Sequence, residues 1–120
     1  MANRLYATTL YLAKHHLLNK TYRTEPACLA HAEETLKLAG AVVIREAFGT
    51  RAGNADILAC FEGFFVAVEC KSATGVPSEQ QKQFIEDVRA AGGVAFVARC
   101  MRDIILELEK LVDRKKQMEG

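Results

Sequence analysis

The most constraining stretch of the chain is an apolar run interrupted once. Asp56-Ile57-Leu58-Ala59-Cys60-Phe61 is followed by Glu62-Gly63 and then Phe64-Phe65-Val66-Ala67-Val68-Glu69-Cys70-Lys71. Two runs of β-formers separated by a two-residue turn read as an antiparallel hairpin. Side chains alternate along a strand, so Phe64, Val66, Val68 and Cys70 share one face, and Phe65, Ala67, Glu69 and Lys71 share the other. A hairpin this apolar needs covering layers, and the flanking segments have the periodicity to supply them.

Residues 4–19 have helical spacing. Tyr6, Leu10, Ala13 and Leu17 form a stripe that Leu5, Thr9 and Leu12 widen, a face broad enough to dock on the body or on another subunit. A second helix starts at Thr24 as N-cap, tolerates Pro26 in its first turn, runs through Cys28, Leu29, Ala32 and Leu36, and stops before Gly40. Strands follow at 41–45, 56–61 and 64–71, with a loop holding two glycines at Gly49–Asn54. After a loop over 72–77, Ser78 opens a helix through Ala91 with Phe84 and Val88 on one face, and Gly92-Gly93 ends it. Val94–Ala98 is a buried strand. Met101 to about Gln117 is a helix with Ile104, Ile105, Leu108, Leu111 and Val112 at helical spacing. The order α–α–β–β–β–α–β–α predicts an α/β fold, a small mixed sheet with helices outside.

At 120 residues, 50% hydrophobic and 26% charged, the chain is sized for one globular domain over 1–120. No apolar run reaches the roughly 18 residues of a membrane span, and Met1-Ala2-Asn3-Arg4 opens no secretory leader. Cys28, Cys60, Cys70 and Cys100 show neither C-x-x-C nor zinc-finger spacing. Cys60, Cys70 and Cys100 lie in apolar runs and read as buried, reduced thiols of a cytoplasmic protein.

The net charge of +1 conceals an uneven distribution. Residues 1–23 hold Arg4, Lys14, Lys20 and Arg23 without an acid, residues 24–71 carry a net −3, and residues 72–120 balance. An acidic centre with basic flanks suits a metal-and-phosphate site, and equally a soluble protein with basic surface helices.

Chemistry concentrates at the open end of the hairpin. Pairing about the 62–63 turn sets Asp56 opposite Glu69, within reach of one ion. Two carboxylates beside Lys71 suit Mg²⁺ or Mn²⁺, and they also suit a charge-balanced cluster without an ion. Ser78 and Gln81 have capping-box spacing, which leaves open a second use for the glutamine amide. Glu25 favours the dipole of its helix, and Glu25, Glu33 or Glu34 could bring a further carboxylate. His15 and His16 read as surface residues. No Ser/His/Asp or Cys/His arrangement offers a covalent nucleophile.

Asp56 followed by Glu69-Cys70-Lys71 resembles the PD-(D/E)XK nuclease superfamily. Gly53-Asn54-Ala55-Asp56-Ile57, Val68-Glu69-Cys70-Lys71, Gly75-Val76-Pro77-Ser78-Glu79-Gln80-Gln81-Lys82-Gln83-Phe84 and Ala90-Ala91-Gly92-Gly93-Val94-Ala95 together resemble the virus-type replication-repair nuclease (VRR-NUC) family, in its standalone phage and bacterial form. The resemblance implies a restriction-endonuclease-like αβββαβ core over 24–105, with a basic N-terminal helix over 1–23 and a C-terminal helix over 106–120. It implies that Asp56, Glu69 and the Cys70 backbone carbonyl bind Mg²⁺ or Mn²⁺ and that Lys71 orients or activates the attacking water. Gln81 matches the family glutamine, with Gln80 as its neighbour, and Glu25 matches the helical glutamate. Ala55 stands where the superfamily name has a proline, and Pro26 and Leu29 also depart from the pattern.

The activity implied is that of a metal-dependent, structure-selective DNA endonuclease, dimeric, cutting branched DNA such as four-way (Holliday) junctions. A non-catalytic DNA-binding or assembly module on the same fold, and a sequence-specific restriction-type nuclease, are the alternatives. Arg45, Arg51, Lys14, Lys20, Arg23 and the Arg114–Lys116 tail are the expected phosphate contacts. The setting implied is the cytoplasm of a bacterial cell or phage-infected host.

Overall fold

A computed structural model describes residues 4–45 and 55–120, with the backbone alone at Arg45. Four helices and four strands follow one another as α1 (Leu5–Lys14), α2 (Glu25–Leu38), β1 (Val42–Arg45), β2 (Ile57–Phe61), β3 (Phe64–Cys70), α3 (Glu79–Ala90), β4 (Val94–Ala98) and α4 (Met101–Glu119). The strands form one sheet in the order β1-β2-β3-β4. The first two pairings are antiparallel. The third is parallel, with α3 filling the crossover that a parallel pair requires. This is the mixed α/β architecture expected from the order of elements. The loop expected at Gly49–Asn54 lies outside the described residues.

Register determines which side chains meet. Ile57 pairs with Val68 and Phe61 with Phe64, so the hairpin closes on Glu62 and Gly63, both at positive φ, and its open end brings Asp56 to Glu69. One sheet face takes Val43, Ala59, Val66 and Val94 and is covered by α2 and α4, whose Cys28, Ala32, Leu36, Ile104, Leu108 and Leu111 complete the main core. The other takes Leu58, Ala67, Ala95 and Val97, and α3 covers it with Phe84, Ile85 and Val88. This second layer stops short of β1. Val42, Ile44, Cys60 and Phe65 are exposed on it. Cys60 is therefore not the buried thiol its apolar neighbours suggest, because strand alternation turns it to the uncovered face. Cys100 is half-buried, while Cys28 and Cys70 are buried.

The first helix is shorter than its periodicity and buries a different stripe. It ends at Lys14, and His16 takes φ 59°, which closes the helix before Leu17. Leu5, Thr8 and Leu12 face the core, whereas Tyr6 and Leu10 are exposed. The helix is apolar nearly all round, so spacing alone does not select the docked side; contact with α4 does. At the far end of α3, Gly92 adopts φ 95° as the residue after the C-cap. Gly93 is needed for room, since a Cβ there would stand 2.9 Å from Val88 Cγ1 and 3.2 Å from Phe65 Cδ2. Among the described residues no helix is long and apolar enough to cross a membrane.

Candidate functional site

Four elements converge where the hairpin opens. Asp56 precedes β2, Glu69 is the penultimate residue of β3, and Lys71 follows that strand. The amide of Cys70 donates to Asp56 Oδ2 at 2.8 Å, which fastens the first carboxylate to the strand carrying the second. Helix α2 starts beside them. Thr24 accepts the Ala27 amide as N-cap and places Glu25 at the first helical position, where its charge suits the helix dipole. Helix α3 delivers Gln81. Its Oε1 accepts the Ser78 amide in a capping box, and its Nε2 donates to Glu69 Oε1 at 2.9 Å. The glutamine thus serves the cap and the carboxylate at once.

Glu69 and Lys71 are 1% and 5% exposed, an expensive placement for two charged groups. Lys71 Nζ lies 3.4 Å from Glu25 Oε1 and 3.8 Å from Glu69 Oε1, one ammonium between two carboxylates. With Asp56 there are three acids around one lysine, and the imbalance falls on Glu69. Its pKa is raised to about 8, first by burial, then by a hydrogen bond that its protonated form donates to Asp56 and by the Asp56 charge; Lys71 opposes the rise and Glu25 adds to it. When ionised, Glu69 has its Oε2 buried without a hydrogen-bond partner.

One oxygen each from Glu25, Asp56 and Glu69 lies within 4.8 Å of the others. Hard carboxylate oxygens at that spacing, one of them orphaned and starved of positive charge, fit a divalent cation of the Mg²⁺ or Mn²⁺ kind. Glu25, the carboxylate with the weakest sequence support, is thereby placed with the other two. Glu33 instead pairs with Lys37 at 3.9 Å, and Glu34 accepts from Tyr11. A pocket of about 490 Å³ opens over the cluster, lined by Arg23, Thr24, Glu25, Pro26, Leu29, Asp56 and Ser72.

The expected phosphate contacts separate. Arg23 is exposed and lines this pocket. Lys20 is exposed nearby, with Nζ 5.5 Å from the Tyr22 ring centroid. Lys14 ends α1 and does not line the pocket. Arg51 and the Arg45 side chain lie outside the described residues. The C-terminal cluster is directed elsewhere: Arg114 stacks on Phe64 and Lys115 pairs with Glu62, at the hairpin turn. Five residues of strand, about 17 Å, separate Phe64 from Glu69. His15 and His16 are exposed, as surface residues should be.

Two supporting features escape a reading of sequence spacing. Tyr22 is buried, its pKa pushed up to about 12 by that burial, and its hydroxyl pairs with His31 Nδ1 at 2.6 Å. Arg99 donates from Nη1 to the Ser72 carbonyl at 2.7 Å and ties down the loop after Lys71. Both link segments 9 or more residues apart through polar atoms, which leaves no periodic signal.

A solved structure described as a VRR_NUC domain has the same fold. It superposes with a TM-score of 0.58 at 24% sequence identity, covering 74% of this chain and 94% of that one. No family model matches the chain, and no curated protein matches it.

Proposed function

We propose that this chain is a metal-dependent DNA endonuclease of the VRR-NUC type that hydrolyses phosphodiester bonds in branched DNA such as four-way junctions. The observation that carries this reading is the clustering of Glu25, Asp56 and Glu69 within 4.8 Å beside a buried lysine, at the open end of the hairpin. The shared fold with a VRR_NUC domain supports it.

Glu25, Asp56 and Glu69, with the Cys70 carbonyl, would hold Mg²⁺ or Mn²⁺. Such an ion, when bound, supplies polarisation of a phosphoryl oxygen and an acidified water. Gln81 fixes Glu69 by its Oε1 and leaves Oε2 for the site. Lys71 orients the attacking water and offers charge to the scissile phosphate, its ammonium held between Glu25 and Glu69. Arg23 at the pocket wall takes a neighbouring phosphate. Such contacts bind backbone without reading bases, which favours selection by DNA shape.

In this reading the enzyme works as a homodimer in the cytoplasm of a bacterial cell or phage-infected host. The exposed apolar strip of Val42, Ile44 and Phe65 is area a second copy could cover. Light scattering at low concentration tests the dimer, and a monomer sinks the paired-site form of the proposal. The activity is tested with a panel of linear, flap, splayed and four-way DNA in Mg²⁺ or Mn²⁺. Cutting confined to branched substrates and abolished in Lys71→Ala, with its circular dichroism unchanged, is the expected result. Wild type and Lys71→Ala that bind DNA and are equally inert would mark a binding module. Cuts at a fixed sequence in linear duplex would mark a restriction-type enzyme.

A further inference from the structure

Away from the carboxylate cluster, some basic side chains are held by acids and others are not. Lys37, Lys82, Arg89, Lys110 and Lys115 each stand 2.9 to 3.9 Å from a carboxylate. Arg4, Lys14, Lys20, Arg23, Arg99, Arg102, Arg114 and Lys116 have no ion pair among the described residues, and four of them, Lys20, Arg23, Arg99 and Arg102, gather in one place. Arg102 donates from Nε to Asn19 Oδ1 at 2.6 Å, and its amide donates to the Leu18 carbonyl at 2.9 Å. Arg99 donates to the Ser72 carbonyl, and the next amide, Ala73, donates to the Tyr22 carbonyl at 2.9 Å. Lys20 and Arg23 flank Tyr22 in sequence, and Arg23 and Ser72 both line the pocket over Asp56 and Glu25.

Residues 18–23, the loop after Lys71 and the start of α4 are thus joined by hydrogen bonds to neutral oxygens. Arg99 and Arg102 each spend one side-chain N–H on an uncharged anchor, so they keep their full charge and most of their donors. Of the nearby acids, Asp103 accepts the Arg99 and Cys100 amides and caps α4, while Glu25 is committed to Lys71. The anchors also hold the guanidinium groups in place before any ligand arrives, which lowers the ordering cost of binding.

We propose that Lys20, Arg23, Arg99 and Arg102 form a track for a DNA phosphate backbone, leading from the mouth of the carboxylate pocket past the start of α4. It carries an arm of the substrate beyond the cut site. This rests on the nuclease reading, which it deepens by giving the substrate a path.

The test is fluorescence anisotropy of a labelled four-way junction, titrated at several salt concentrations in EDTA. Each phosphate contact on duplex DNA contributes about 0.9 to the slope of log K against log salt. Lys20→Ala/Arg102→Ala, in two exposed side chains, should flatten that slope by about two and weaken binding, with its melting temperature near wild type. Arg99→Gln, which removes the charge, should flatten it by about one. Lys37→Ala/Lys110→Ala, in two ion-paired side chains, should leave it unchanged. An unaltered slope in both track variants of an enzyme that still binds and cuts junctions overturns the track alone. A wild-type protein that neither binds nor cuts DNA overturns the nuclease reading and the track with it.

Discussion

Glu69 sits in a position where a carboxylate is hard to ionise, and this has a consequence for stability. In the unfolded chain it titrates near the ordinary 4.5, and in the folded protein near 8. Between those values the folded state holds the extra proton, so stability falls as pH rises, the loss being complete above the folded pKa. Without divalent ions the melting temperature of wild type should therefore decline between about pH 5 and pH 8.5. Glu69→Gln, which cannot ionise, should lack this component and overtake wild type at the alkaline end. Calorimetric scans across that range in EDTA decide it, and parallel profiles for the two proteins would refute it. Gln81 allows a sharper separation. Gln81→Glu keeps an acceptor for the Ser78 amide but loses the donor to Glu69 and sets one carboxylate against another. Helix capping should survive, so stability should move by no more than about 1 kcal/mol, while DNA cleavage drops and its pH optimum rises. Gln81→Ala loses both bonds and should be the less stable of the two. A variant Gln81→Glu that cuts with the wild-type pH profile would show that the glutamine is a cap and nothing more.

At the scale of elements, the chain is most readable where one physical device acts alone. Thr24 and Ser78 at N-cap positions, the glycines at 40 and 92, and the Glu62-Gly63 turn place element ends to within a residue or two, because each marks a local backbone requirement. The hairpin register follows from the turn, and with it the meeting of Asp56 and Glu69. Readability fails where two answers are equally apolar. In α1 the stripe through Tyr6 and Leu10 and the stripe through Leu5 and Leu12 fit the helical period alike, and only packing against α4 selects the second. It fails again at Cys60, where a strand covered on one face and only in part on the other looks like one covered on both. The α1 assignment has a direct test. Leu12→Ala removes a side chain 2% exposed and should cost about 2–5 kcal/mol in urea unfolding. Leu10→Ala, at 53% exposure, should stay within about 0.5 kcal/mol. The reverse order would mean that α1 docks by its other face.

Across the whole molecule, a net charge of +1 suggests a protein indifferent to polyanions. Position changes that reading, because three acids are gathered around Lys71 while Arg23 lines the same pocket and Arg99 is tied to its wall at Ser72. The cluster is intrinsically repulsive to a phosphate and attractive to a divalent cation, so the two ligands should assist one another. The sign follows from charge: neutralising Glu25, Asp56 and Glu69 removes the repulsion that an incoming phosphodiester meets. Linkage then requires that Mn²⁺ raise DNA affinity by the same factor by which DNA raises Mn²⁺ affinity. A coupling of 1–3 kcal/mol, about 5- to 150-fold, is the ordinary range for two ligands sharing a site. The measurement uses Lys71→Ala, so that substrate persists, and titrates junction DNA with and without Mn²⁺, then Mn²⁺ with and without DNA. Both factors should exceed one and agree within error. They should also grow from pH 6 to pH 8, since below its pKa Glu69 must release a proton before it can bind a cation. DNA affinity that is the same in EDTA and in Mn²⁺ would mean that the phosphate does not approach the carboxylates, and that the basic track binds DNA on its own account.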